Sequence, residues 1–398
     1  MSAEYEVEIL RRLVSVRSIT GNSKAYEEIS EMVSEELRSF GLSVEIHDGG
    51  SEANDGAARP NIVAFLDKGC GRRLGILTHY DVVPPGEGWS SDPFSLTLRQ
   101  VEGEVRAYGR GAADDKGCIA AALGALRRIS SSRNLAWDIV FMCTADEEIG
   151  GRYGAGYIAR RKLVNLDALM VLDSSCLGLV VGASGIVHGD IIIRGKSGHA
   201  GHIVGSMNAV HRAIVFLGKL LDIAELRSLK ISHLGNIKGV RIPRVWGRFS
   251  ITWIRTQNTT YNVVPGSVTA GFDMRLLPEE SVEDALAELE AFFETVKHIT
   301  GIYDVDLRIT RAYPGYYTDE KEDFVLKVRS VIEDVTGRSI DVVGMLGGND
   351  GGWFRDYGIP IVSYGVWDEA SNIHGPNESV SLRRIVELRD IIIRLVTE

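Results

Sequence analysis

Histidines and carboxylates stand at the ends of apolar runs throughout this chain. His79 and Asp81 follow Leu74-Gly75-Ile76-Leu77-Thr78, Glu147 and Glu148 follow Trp137–Cys143, and Asp173 follows Ala168–Leu172. Asp114 closes Gly109-Arg110-Gly111-Ala112-Ala113-Asp114, and His374 lies far downstream in Asn372-Ile373-His374-Gly375-Pro376. Two histidines and several carboxylates, delivered by loops, are the donor set that two adjacent divalent ions require. Alternate residues after a strand point the same way, so His79 and Asp81 can meet. A carboxylate on the second imidazole nitrogen fixes the tautomer and strengthens a metal bond. Adjacent residues at a strand terminus diverge, so one of Glu147 and Glu148 can bind metal while the other faces a water as general base. Each residue alone has a plainer reading: Asp114 as a helix N-cap, the glutamates as an acidic first turn, Arg275 as the ion-pair partner of Asp273.

Other residues enter by type and position. His199, in Gly198-His199-Ala200-Gly201-His202, is a candidate to polarise a substrate carbonyl. Arg275, at a strand end, is a candidate to clamp a carboxylate bidentately. His188, His211 and His233 read as structural. The orders GxxxxGK[ST] and GxGxxG are both missing from the Asp114 loop, which excludes the usual phosphate and dinucleotide cradles.

The elements that must position these residues follow from periodicity. A helix is expected from Ser2 with Ile9, Leu10, Leu13 and Val14 buried, and another over Lys24–Phe40 stopped by Gly41. Strands and helices then alternate through Leu172, which implies a mostly parallel sheet with helices on both faces. Functional loops in such sheets sit at the strands' carboxyl ends, where His79, Glu147, Glu148 and Asp173 fall. From Gly185 to Arg311 the order becomes β-α-β-β-α-β, a split ferredoxin-like unit. Ser206 and Ser281 are its expected N-caps. Val210, Ile214, Leu217 and Leu221 form one expected core stripe. The α/β pattern then resumes. The expected fold is therefore an α/β metal-binding catalytic domain, residues 1–183 and 312–398, with an inserted α+β lid and dimerisation domain over 184–311.

The bulk numbers fit two globular domains: 398 residues, 44% hydrophobic and 25% charged. A formal net charge of −10 argues against nucleic acid or an anionic membrane as partner. No apolar run is long enough to span a bilayer. Four cysteines without CxxC spacing point to a reducing cytoplasm.

The order of the segments is itself specific: His-x-Asp-Val-Val-Pro at His79–Pro84, Gly-Arg-Gly-x-x-Asp ending at Asp114, Glu-Glu at 147–148, Asp173, Gly-His at 198–199, Asn-Val-Val-Pro at Asn262–Pro265, Asp-x-Arg at Asp273–Arg275, and His374. Over its whole length the chain resembles the acetylornithine deacetylase, succinyl-diaminopimelate desuccinylase, aminoacylase and carboxypeptidase G family of dimetal amidohydrolases. The resemblance implies that Asp114 bridges two ions, expected to be zinc with cobalt or manganese as alternatives. His79 and Asp173 complete one site, Glu148 and His374 the other. It further implies Glu147 as general base, Asp81 as the partner of His79, a cis peptide after Asp114, and His199 reaching a partner subunit's site in a homodimer. Asn262, Arg275, Gly348 and Asn349 resemble substrate-carboxylate contacts. The implied substrate is a small N-acyl amino acid or short peptide. A metallo-carboxypeptidase or dipeptidase is the alternative, and a non-catalytic binding protein on the same fold is the rival of another class. Two departures stand out. Asp115 replaces a frequent Met, and Ser184-Gly185 replaces the arginine of desuccinylases, which points toward a deacetylase-like or dipeptidase-like substrate.

Overall fold

Three adjacent strands, Asp138–Thr144, Arg73–His79 and Ala168–Val171, run parallel at the centre of a nine-stranded sheet, and Ile361–Ser363 continues the parallel set. The computed structural model describes residues 3–237, 241–258 and 260–398. These central strands are buried along nearly their whole length. Ile139, Phe141, Leu74 and Ile76 face one core, Val140, Met142 and Leu77 the other. Coverage on both faces explains why the strands read as continuous apolar runs. On one face pack the helices Glu4–Ser15, Ser23–Ser39, Lys116–Ile129, Asp323–Thr336 and Leu382–Thr397. The opposite face is covered by the helix Ala155–Arg160 and the turn Asp350–Tyr357. The first helix buries Ile9, Leu10, Leu13 and Val14; its expected start, Ser2, lies outside the described residues.

The sheet is mixed, not mostly parallel. Ser43–Asp48 and Pro60–Leu66 pair antiparallel, and the latter runs antiparallel to Asp138–Thr144. Only eleven residues separate the first two strands, too few for a parallel crossover. A separate three-stranded sheet joins Thr97–Val101, Glu104–Tyr108 and Ser379–Ser381.

Between Ile186 and Tyr313 a second, four-stranded antiparallel sheet has the order Arg248–Thr256, Ser267–Arg275, Ile186–Arg194, Val305–Tyr313. Its own core holds Val187, Ile191, Phe272 and Met274 against Phe216, Leu220, Leu289 and Phe293 of the helices Ala209–Leu220 and Val282–Thr300. Two local expectations fail here. Asn208, not Ser206, caps the first of these helices, accepting from the Val210 and His211 amides. The buried stripe is Ala213, Phe216, Leu217 and Leu220, while Ile214 and Leu221 are 67% and 45% exposed. Phe216 packs edge-to-face on Phe293 of the second helix, 5.2 Å between ring centroids, while Ile214 falls on the outer face. Ser281 does cap its helix, accepting from the Asp284 amide at 3.0 Å.

Candidate dimetal centre

Register along the three central strands decides the geometry of the site. His79 lies opposite Thr144, and Leu77 opposite Val171. The carboxyl ends of neighbouring parallel strands therefore deliver His79, the Glu147–Glu148 turn and Asp173 to one place. Asp114 arrives from the turn before helix Lys116–Ile129, and the Asp114–Asp115 peptide is cis. His374 comes from the loop after Ile361–Ser363.

The two oxygens of Asp114 meet two different histidines. Oδ1 lies 3.1 Å from His79 Nε2 and Oδ2 lies 3.1 Å from His374 Nε2. His374 Nε2 is also 3.1 Å from Glu148 Oε2. Two donor groups result, each with its atoms within 4.8 Å of one another: His79, Glu147 and Asp173; and Asp114, Glu148 and His374. Glu147 thus falls beside His79 and Asp173, closer to the ligand cluster than a residue facing only a water.

His79 Nδ1 is 3.1 Å from the Asp81 carbonyl and 3.5 Å from its carboxylate. A donor to that carbonyl must carry its proton on Nδ1, which leaves the Nε2 lone pair for a cation. The Asp81 carboxylate accepts from the Glu147 amide at 3.0 Å, the Glu148 amide at 3.3 Å and the Thr20 hydroxyl at 2.9 Å. Asp81 therefore ties the histidine strand to the glutamate turn.

The electrostatics of the cluster favour a cation. Burial pushes Glu147 and Asp173 far above the usual carboxylate range, and neighbouring negative charges add to the rise. Glu148 rises for the same two reasons, with Asp114 the main neighbour. Burial opposes charge on His79, yet the carboxylates of Asp114 and Asp81 outweigh it and hold its pKa well above the ordinary value. Hydrogen bonds to Asp114 and Glu148 lift His374 to about 10. Four carboxylates crowd around two imidazoles, with His79 and Asp114 buried, Glu147, Glu148 and Asp173 half-buried and His374 exposed at the rim. Oxygen and imidazole donors with excess negative charge fit divalent cations.

A buried scaffold holds these groups. Glu378 accepts from the amides of Gly111, Ala113 and Asp114 at 3.0, 2.9 and 3.1 Å, and from Arg110 Nη1 at 2.6 Å. Arg110 in turn donates to the His374 and Gly375 carbonyls. The Asp114 and His374 loops are thereby fastened to one buried ion pair. Asp350, pushed up to about 7 by burial, accepts from Thr144 below the glutamate turn. Asp115 is fully buried, and burial pushes it up to about 7 as well.

The donor groups open into a cavity of about 370 Å³ whose far wall includes Arg275, His188, Tyr313, Gly347 and Gly348. Arg275 Nε donates to Asp273 at 2.8 Å, and Asp273 also holds His188 at 2.7 Å. His188, read from sequence as structural, therefore stands on the wall of the site. Asn349 does not reach it: this buried amide spends its donors on the Asp173 carbonyl and Ser363 and its oxygen on the Gly351 amide. His199 and Asn262 lie away from the cavity, exposed and adjacent, with the Ala200 amide on the Asn262 carbonyl. Nothing in the sequence marked Glu378, His188 or Tyr313, because their partners are distant in the chain.

The model of Peptidase family M20/M25/M40 matches residues 75–398, which include all six clustered donors. The chain belongs to this family. As a member of it, the protein is a metal-dependent hydrolase. It is 28% identical over 345 residues to a succinyl-diaminopimelate desuccinylase of Sulfurimonas denitrificans, covering 84% of this chain and 87% of that one. An M20 family metallo-carboxypeptidase from Sulfolobus solfataricus shares the fold with a TM-score of 0.80, 18% identity and 98% of each chain covered. A dinuclear metal-binding M20 peptidase of Bacillus subtilis aligns over 99% of this chain and 98% of its own, with a TM-score of 0.65 and 15% identity. Among the described residues no helix is long and apolar enough to cross a membrane.

Proposed function

We propose that this chain hydrolyses the amide bond of an N-acyl amino acid or short peptide that carries a free carboxylate. The observation that carries the reading is Asp114, one carboxylate set 3.1 Å from both His79 and His374. In this reading His79 and Asp173 would hold one divalent ion and Glu148 and His374 a second, with Asp114 available to both. Zinc suits this donor set, as do cobalt and manganese. When bound, such a pair supplies Lewis acidity and eases ionisation of water.

The chain's own residues do the rest. Glu147 accepts a proton from the attacking water as the C–O bond forms. It returns that proton to the leaving nitrogen as the C–N bond breaks. Burial, which favours its protonated form, suits a group that must also act as an acid. Arg275, across the cavity, orients the free carboxylate. Asp81 and Glu378 keep the two loops in register.

His199 and Asn262 enter this reading from a second copy of the chain, packed through the inserted, ferredoxin-like unit. Their exposure supports that, as do Val204 and Tyr261 beside them, 98% and 104% exposed. So does the apolar groove of Ile214, Leu217, Leu221 and Ile254. Four free cysteines suit a cytoplasmic setting. A metallo-carboxypeptidase or dipeptidase would use the same residues. Hydrolysis of a panel of N-acetyl amino acids, N-succinyl-diaminopimelate and dipeptides by the metal-loaded protein separates these substrates. Glu147→Gln is the control: turnover should fall about 100- to 10,000-fold with both ions retained. Near-wild-type turnover in that variant would sink the assignment of the base.

A further inference from the structure

On the substrate side of the inserted sheet, Arg248 and Arg275 are directly opposed cross-strand partners. Phe249 and Met274, their chain neighbours, point to the helices, so both arginines point the other way. Like charges directly opposite in a sheet destabilise it. One carboxylate, Asp273, stands nearby, and it is engaged by Arg275 and His188. Arg248 has no ion-pair partner among the described residues. Its Nη2 donates to the Leu346 carbonyl at 2.7 Å and lies 3.3 Å from the Ser184 hydroxyl, while Nε is buried without an acceptor. Leu346 lies between Met345 and Gly347, both of which line the cavity. Burial and the charge of Arg275 bring the Arg248 guanidinium down to about 10, the signature of a cation short of anions.

We propose that the Arg248–Arg275 pair selects substrates that carry two negative charges, Arg275 meeting one and Arg248 supplying the field for the second. This rests on the hydrolase reading above and adds the class of substrate. The second charge has two chemical sources: an acidic side chain on the amino acid, or a dicarboxylic acyl group.

Matched pairs separate them. N-acetylglutamate against N-acetylglutamine tests the first source. N-succinylalanine against its terminal carboxamide, N-succinamoylalanine, tests the second. Binding is read by calorimetry on the metal-loaded Glu147→Gln protein, so the result does not depend on turnover or on the role of Glu147. The expected result is about 10- to 100-fold tighter binding of the acid in one pair, the range for a hydrogen bond to a charged group. Glu147→Gln/Arg248→Gln should abolish that ratio, and Glu147→Gln/Arg248→Lys should keep part of it. Equal affinities for acid and amide in both pairs, undetectable ones included, overturn the proposal. So does an Arg248→Gln effect that weakens acid and amide alike, which marks Arg248 as a prop for the Leu346 carbonyl only.

Discussion

Asp114 is the residue on which the centre turns, because among the described residues it alone touches both imidazoles. Changing it to Asn leaves one oxygen and removes the charge. We expect Asp114→Asn to lose both ions, read as metal content per chain by plasma mass spectrometry on protein with a native circular dichroism spectrum. Retention of one full equivalent would confine Asp114 to a single site. Of the six clustered donors, His79, Glu147, Glu148 and Asp173 stood out in the sequence because they follow apolar strands, whereas Asp114 and His374 lie in turns and entered through the order of the motifs. Glu378, Asp350 and His188 did not stand out. A buried polar residue is defined by its partners, and those of Glu378 lie over 260 positions away. Asn349 failed in the opposite direction: its type suits a substrate contact, but its burial hands it to Asp173 and Ser363.

Elements were readable in proportion to how thoroughly they are buried. The central strands are apolar on both faces and stand out. Ser43–Asp48 is exposed or half-buried at every position, so it carries no core signal; the sheet is mixed because Pro60–Leu66 at one side, and Leu179–Ala183 and Tyr316–Tyr317 at the other, pair antiparallel with their neighbours. The strands Thr97–Val101 and Ser379–Ser381 are short, and only pairing to Glu104–Tyr108 makes them strands. That small sheet bears directly on the site, since Glu378 immediately precedes Ser379–Ser381 and its carbonyl accepts from the Gly109 amide at 3.0 Å. The Asp114 turn and the His374 loop then hang from one carboxylate. Glu378→Gln keeps the shape but removes the charge that Arg110 and three amides share. The expected outcome is a metal affinity about 10- to 100-fold weaker, the usual effect of losing a support behind the ligands, measured by competition with a chromogenic chelator. An unchanged affinity would mean that the Asp114 turn holds itself.

At the scale of the whole molecule, the donor cluster lies at the large sheet and the exposed His199–Asn262 corner beside the four-stranded one, and among the described residues a single copy does not bring them together. The site as proposed is complete only when a second copy offers its corner. Isologous pairing makes that contribution mutual, and the outward-turned Ile214 and Leu221 offer the apolar surface to hold it. Complementation follows from the geometry. Glu147→Gln lacks the base but still presents His199, whereas His199→Ala keeps the base and lacks the imidazole. Each variant alone should be nearly inactive. After subunit exchange at equal concentrations, half the dimers are mixed, and each mixed dimer has one site with both Glu147 and a partner-supplied His199. Activity should return to about a quarter of the wild-type value per chain, the statistical limit for a two-fold assembly. Exchange verified by mass-tagged subunits with no recovery would place His199 outside the reaction or in the same chain's site. Recovery that survives Ile214→Glu, designed to split the dimer, would move the contact elsewhere on the inserted unit.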